Sequence, residues 1–315
     1  MTASAMPRLR WPEGKRFALT IFDDPDSQTM AECQSIYGLL SDLGLRTTMG
    51  VWSVEPGEER RNSLGPTCAD PAYRAWAQEL QRRGFEIGFH SAAPATMTRE
   101  EIIDALDRFR EYFGSDPASM ANHYNGDAIY WGPARLSGLN RFIYQLTTLG
   151  RSNSRYFGQV EGHPYFWGDV CKSRIQYCRN FVFRELNTLK MCPWMPYHDP
   201  ERPMVNYWYA SAEAAVGPSF LELMTEEAID RLEEEGGAAI IYTHFGRGFF
   251  DSKTKLNPAI EEIFRRLAKR QGWFVPVSRL LQFLAENGNG KTISPQQRGQ
   301  LERRWLQNKI FYGTS

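Results

Sequence analysis

The stretch "ALTIFDDPDSQTM", residues 18–30, decides how the chain is read. An apolar run ends in two adjacent aspartates, Asp23 and Asp24. Pro25, Asp26 and Ser27 follow and lead into a helical pattern. Residues 17–23 read as a buried strand. Residues 27–43 read as a helix, with Met30, Cys33, Tyr37 and Leu40 on one stripe and Gly44 as its stop. A strand needs no carboxylates at its end for stability. The pair therefore reads as chemistry, against the plainer alternative of a solvated turn in which Asp26 caps the helix.

Further along, the same alternation repeats. "RTTMGVWSV", 46–54, is a second strand, and Asp70-Pro71 opens a helix that runs to Gly84. "FEIGFH", 85–90, is a third strand, and Thr98 with Glu101 forms a capping box for the next helix. "ASMANH", 118–123, is a fourth strand. Residues 124–225 are rich in Tyr, Trp, Pro and Asn and read as long loops with short strands. A helix at 225–235, the apolar strand "AAIIYTHFG" at 238–246 and a helix opened by Asn257-Pro258 restore the order. "WFVPVSRLLQFLAENG" adds a last strand and helix. An amphipathic helix in the tail, 289–315, is suited to pack on the body or on a partner.

Strand-helix alternation argues a parallel sheet, open or closed into a barrel. Chemistry in such folds sits at the C-terminal strand ends. Asp23 and Asp24 end the first strand, and His90, His123 and His244 fall at later ones. The remaining two of the five histidines, His163 and His198, lie in the irregular middle. A metal hydrolase needs imidazole and carboxylate ligands, a base for water and an acid for the leaving group. Asp24, His90 and His123 suit the first task, Asp23 the second and His244 the third.

These residues resemble the polysaccharide deacetylases, the NodB-homology group of carbohydrate esterases. Thr20-Ile21-Phe22-Asp23-Asp24 matches that family's opening motif with one residue inserted, "LRTTMGVW" its next strand, "GFEIGFHSAAP" its second motif and "IIYTHF" its late one. The resemblance covers roughly residues 10–288. It implies an irregular seven-stranded (β/α) barrel over 1–288 with a helical tail at 289–315. It also implies Asp23 as base, Asp24 and His90 as metal ligands, His244 as acid and a divalent metal, zinc, as cofactor. Three departures stand out. Pro94 occupies the place of the second motif's last histidine, Asn122-His123-Tyr124-Asn125-Gly126 replaces an Arg-x-Pro-x-Gly motif, and Pro25 replaces a glycine. The histidine gained at 123 suggests a replacement for the ligand lost at 94.

Glu86 shares the strand parity of His90 and reads as a group that satisfies the barrel interior. Asn122, Asn125, Trp167 and Asp169 are candidate substrate contacts; for Asp169 the plainer alternative is a surface salt bridge with an arginine. Lysine plus arginine equals aspartate plus glutamate at 37 each, which gives no electrostatic case for nucleic acid or an anionic membrane. Five cysteines without a CxxC pair fit reduced thiols in a cytoplasmic protein. No leader of signal-peptide type is evident at the N-terminus. The function expected is metal-dependent removal of an acyl group from an N-acylated sugar or related small amide. The alternatives are a cyclic, non-sugar amide as substrate, or a carbohydrate-binding pseudoenzyme with a degenerate metal site. The expected partner is a small-molecule or oligosaccharide substrate, with a homo-oligomer as an option.

Overall fold

The computed structural model describes residues 9–149, 155–252 and 254–314. Seven parallel strands close into a barrel: β1 (Phe17–Asp23), β2 (Thr48–Val51), β3 (Glu86–Phe89), β4 (Ser119–Met120), β5 (Tyr177–Phe183), β6 (Tyr207–Glu213) and β7 (Ala238–Thr243). β1 closes the ring against β7, from Ala18↔Ala238 to Asp23↔Thr243. On its other side β1 pairs first with the short strand Gly272–Phe274 and then, from Phe22, with β2. The seven-stranded (β/α) barrel anticipated from the sequence is the fold observed.

Side-chain alternation decides what the barrel holds, because successive strand residues face opposite sides. Phe22 points into the lumen. A Cβ on Gly50 or Gly88, which pair across β2 and β3, would stand 2.9 Å from its ring. These two glycines are the space that Phe22 fills. By the same parity Asp24, His90 and His244 face inward, whereas Asp23 faces the surrounding helices. At the opposite end Glu86 accepts hydrogen bonds from Thr48 Oγ1 (2.6 Å), Ser119 Oγ (2.8 Å) and Ser278 N (3.0 Å). Its carboxylate thus caps the helix Val277–Glu286 from inside the barrel. Glu86 satisfies the interior, as its parity suggests.

Local signals formed the helices as read. Thr29 and Glu32 build a capping box on Met30–Asp42, and Thr98 with Glu101 builds another on Arg99–Phe113. The helix after β1 begins at Met30 with Thr29 as its cap, so Asp26 is not a cap.

The middle of the chain is more regular than its composition suggests. It supplies β5 and β6, each seven residues long, and the helices Gly138–Thr147, Gly168–Arg174 and Gly217–Leu223. These strands carry polar residues that face the lumen, which breaks the apolar run of a buried strand. Arg179 of β5 is buried with its guanidinium 3.5 Å from the ring centroid of Tyr242.

The tail helix Pro295–Tyr312 packs on the barrel. Leu301, Trp305 and Leu306 join the main core, and Trp305 lies against Tyr144 and Phe181. Buried Glu302 accepts from Ser137, Asn140 and Arg202. All five cysteines are free and buried. Among the described residues no helix is long and apolar enough to cross a membrane.

Candidate active site

Five titratable groups converge at the C-terminal mouth of the barrel: Asp24, Asp26, His90, His123 and His244. All are buried. β1 delivers Asp24, β3 delivers His90 and β7 delivers His244, each as the residue immediately after its strand. His123 sits three residues beyond β4. Its backbone N–H donates to Ser91 Oγ at 3.1 Å, and Ser91 takes a positive φ of 58° to present that hydroxyl.

Asp24 is the hub. Its Oδ1 accepts from the Asp26 backbone N–H at 2.9 Å, and its Oδ2 accepts from the Tyr242 hydroxyl. The same Oδ2 lies 3.0 Å from His90 Nε2 and 3.1 Å from His244 Nε2. Burial works to raise the Asp24 carboxyl, but the electrostatic pull of the neighbouring His244 and His90 holds it well below the usual range. His244 Nδ1 lies 2.8 Å from the Ala215 carbonyl, an acceptor that fixes the ring with Nε2 toward Asp24. Burial disfavours its imidazolium, and Asp24 outweighs that and raises its pKa.

Asp26 is the residue that sequence reasoning missed. Its Oδ2 accepts from Arg247 at 2.7 Å and from Ser63 Oγ at 3.3 Å. Its Oδ1 lies 3.3 Å from His123 Nε2 and, although buried, has no hydrogen-bond partner. Burial disfavours the His123 imidazolium as well, and Asp26 reverses the balance and raises the pKa. The one signal in the sequence was negative: with Thr29 and Glu32 already forming a capping box, Asp26 was left without a structural task. Tyr242 was also missed. Its position, two residues before His244 on one strand face, was the available clue.

Several nitrogen and oxygen atoms of this cluster are buried without a hydrogen-bond partner, and such atoms can serve a cation. His90 is wholly buried, and neither ring nitrogen makes a hydrogen bond of acceptable geometry, even with Asp24 at 3.0 Å. His123 Nδ1 and Asp26 Oδ1 are likewise without partners. Two groups have all their ligand atoms within 4.8 Å of one another: Asp26, His90 and His123, and Asp24, Asp26 and His244. Neutral imidazole and carboxylate are the donor set of catalytic zinc-type sites. The residues therefore fit a divalent cation.

Asp23 belongs to neither group. Its Oδ2 accepts from Gln28 (2.6 Å) and Tyr37 (2.8 Å), and its Oδ1 accepts from the Phe245 N–H (3.0 Å). Burial pushes its carboxyl up to about 7 against the pull of these donors. The carboxylate read as the base is thus turned toward the helix Met30–Asp42, with both oxygens engaged.

The four candidate substrate contacts have structural partners. The Asn122 amide exchanges hydrogen bonds with the Ile129 backbone. Asn125 donates to Ala93 O and Ala95 O and accepts from Asn62. The two asparagines thereby shape the loop that carries His123. Trp167 is buried with its indole N–H on Asp127 O, and Asp169 forms a two-pronged ion pair with Arg99 on the surface. His163 stacks on Phe157, and His198 Nδ1 contacts Asn206 O.

No family model matches the chain, and no curated protein matches it. Solved structures do. A protein from Mycobacterium smegmatis described as a polysaccharide deacetylase superposes with a TM-score of 0.52 at 11% identity, over 90% of this chain and 94% of that one. An allantoinase matches with a TM-score of 0.42 at 13% identity, over 99% and 96% of the two chains. A family 4 acetyl xylan esterase from Clostridium thermocellum, solved in complex with a cobalt ion, matches at 0.38 and 16%, over 85% and 90%. The barrel has the fold of the polysaccharide deacetylase type.

Proposed function

We propose that this chain is a metal-dependent hydrolase of deacetylase type, which removes an acyl group from an N-acylated sugar or a related small amide. The observation that carries the proposal is His90: a wholly buried imidazole whose nitrogens make no hydrogen bond of acceptable geometry, among two carboxylates and two further histidines at the C-terminal mouth of a deacetylase-type barrel.

His90 and His123 would hold the cation together with a carboxylate from the loop after β1; zinc suits that donor set. When bound there, such an ion supplies Lewis-acid polarisation of the acyl carbonyl and makes water a stronger acid. The chain's own residues do the rest. Asp24, held ionised, keeps His244 facing the mouth and favours its protonated form. In this reading a protonated His244 turns its Nε2 proton from Asp24 to the departing amine nitrogen. Ala215 O fixes the ring during that transfer. Asp23 can accept a proton from water only after release from Gln28, Tyr37 and Phe245.

The test is acetate release from a panel of N-acetylated sugars, run beside ring opening of cyclic amides, with zinc and with a chelator. Zinc-dependent acetate release supports the proposal. Ring opening alone moves the substrate to the non-sugar class. Neither activity, with no zinc bound, overturns it.

A further inference from the structure

The resemblance to the deacetylases assigns the carboxylate ligand to Asp24, the second aspartate of the pair. The geometry points to a different one: Asp26 is the carboxylate ligand that closes the cation site with His90 and His123, and Asp24 is the hub that orients the histidines. This inference rests on the metal-dependent reading given above.

The first argument is distance. Asp26, His90 and His123 bring one ligand atom each within 4.8 Å of one another, whereas Asp24 groups with Asp26 and His244. Asp26 is common to both sets, so a cation held by either one touches it.

The second argument is what each carboxylate oxygen already does. Both oxygens of Asp24 are spent, Oδ1 on the Asp26 N–H and Oδ2 on the Tyr242 hydroxyl, with two imidazole nitrogens crowding the latter. Asp26 is divided differently. Its Oδ2 is anchored by Arg247 and Ser63, and its Oδ1 is buried beside His123 with no hydrogen bond. One oxygen fixes the side chain, and the other touches only His123, at 3.3 Å and without a hydrogen bond, which leaves it able to bind a cation that His123 also binds.

The third argument is how the backbone brings Asp26 there. Asp24 Oδ1 captures the Asp26 N–H two residues on, an Asx-type turn that folds the chain back over the mouth. Ser27 then takes a positive φ of 64°, and its N–H donates to Leu64 O at 2.5 Å, so the turn is pinned to the loop that carries Ser63. A non-glycine residue in that region is strained and persists only because surrounding contacts over-determine it; here Leu64, Ser63 and Arg247 hold the turn with Asp26 beside His123. Proline at position 25, a departure from the family's glycine, belongs to the same turn.

The test is zinc binding by isothermal titration and metal analysis on the wild type, Asp26→Asn and Asp24→Asn. Asp26→Asn is expected to lower zinc affinity by at least about 100-fold, and Asp24→Asn by about 10-fold, the lower end of what an orienting residue costs. Wild-type binding that Asp26→Asn leaves unchanged overturns the inference and leaves the metal-dependent reading standing. A wild type that binds no zinc overturns both. If circular dichroism shows Asp26→Asn unfolded, Asp26→Glu keeps the ion pair with Arg247 and moves the oxygen. The Co²⁺-loaded variant must then differ from wild type in its visible ligand-field spectrum, and identical spectra overturn the assignment.

Discussion

The imidazole rings of His90 and His123 stand at 88° to each other with centroids 5.3 Å apart, and Trp52 lies against both. One ring follows β3 and the other follows β4, so two sequence-distant strand ends converge on one point. His123 therefore stands beside His90, where the proposed cation site calls for a second imidazole.

Removing that partner gives the first prediction. His123→Ala is expected to lower zinc affinity by at least about 100-fold with the fold intact, since losing a ligand costs no less than losing an outer partner. Full metal occupancy of the purified variant would show that His123 has another task.

Asp23 leads to a prediction about stability. Asp23→Ala leaves the Phe245 N–H and the Tyr37 hydroxyl buried without their acceptor. Each orphaned group costs about 1–3 kcal/mol, so a loss of about 2–6 kcal/mol in urea denaturation is expected. A variant as stable as wild type would show that Asp23 does not anchor these donors.

Asp127, on the loop that carries His123, gives a pH dependence. Burial pushes its carboxyl up to about 7, well above the range of an unfolded aspartate. A raised folded-state pKa means that the folded protein binds more protons than the unfolded chain between about pH 4 and 7. Its contribution to stability is therefore full at the acid end and lost as pH rises through about 7. Asp127→Asn keeps an acceptor for the Met97 N–H and cannot ionise. It is expected to be more stable than wild type at pH 8, with the gap closing toward pH 4. A gap that does not change with pH would contradict this.

The tail gives a packing prediction. Trp305 is buried against Tyr144 and Phe181, so Trp305→Ala is expected to cost about 3–5 kcal/mol. A change below about 1 kcal/mol would mean that the tail helix is not held on the barrel in solution.

The barrel was legible wherever one physical signal dominated. β1, β3 and β7 are apolar runs that end in polar residues, and the caps at Thr98, Asp70 and Asn257 are local hydrogen-bond patterns that a sequence displays directly. β5 and β6 were hidden because lumen-facing Arg179 and Ser211 interrupt their apolar pattern, and only the closed barrel supplies those groups with partners. His90, His123 and His244 were found by strand-end position. The separate environments of the three aspartates were not, since they depend on which way each side chain points. Alternation turns Asp23 outward and Asp24 inward, and the Asx turn brings Asp26 back, a long-range outcome that rests on Leu64 and Arg247 as well.

The most direct test of the account is acetate release by purified protein before and after metal removal, with His90→Ala alongside. The account predicts that the wild type holds a divalent cation and releases acetate from an N-acetylated sugar. Chelation should abolish the release, zinc should restore it, and His90→Ala should neither hold the metal nor turn over. A protein that gains no stability from zinc and releases acetate equally well with a chelator present, or not at all, would contradict it.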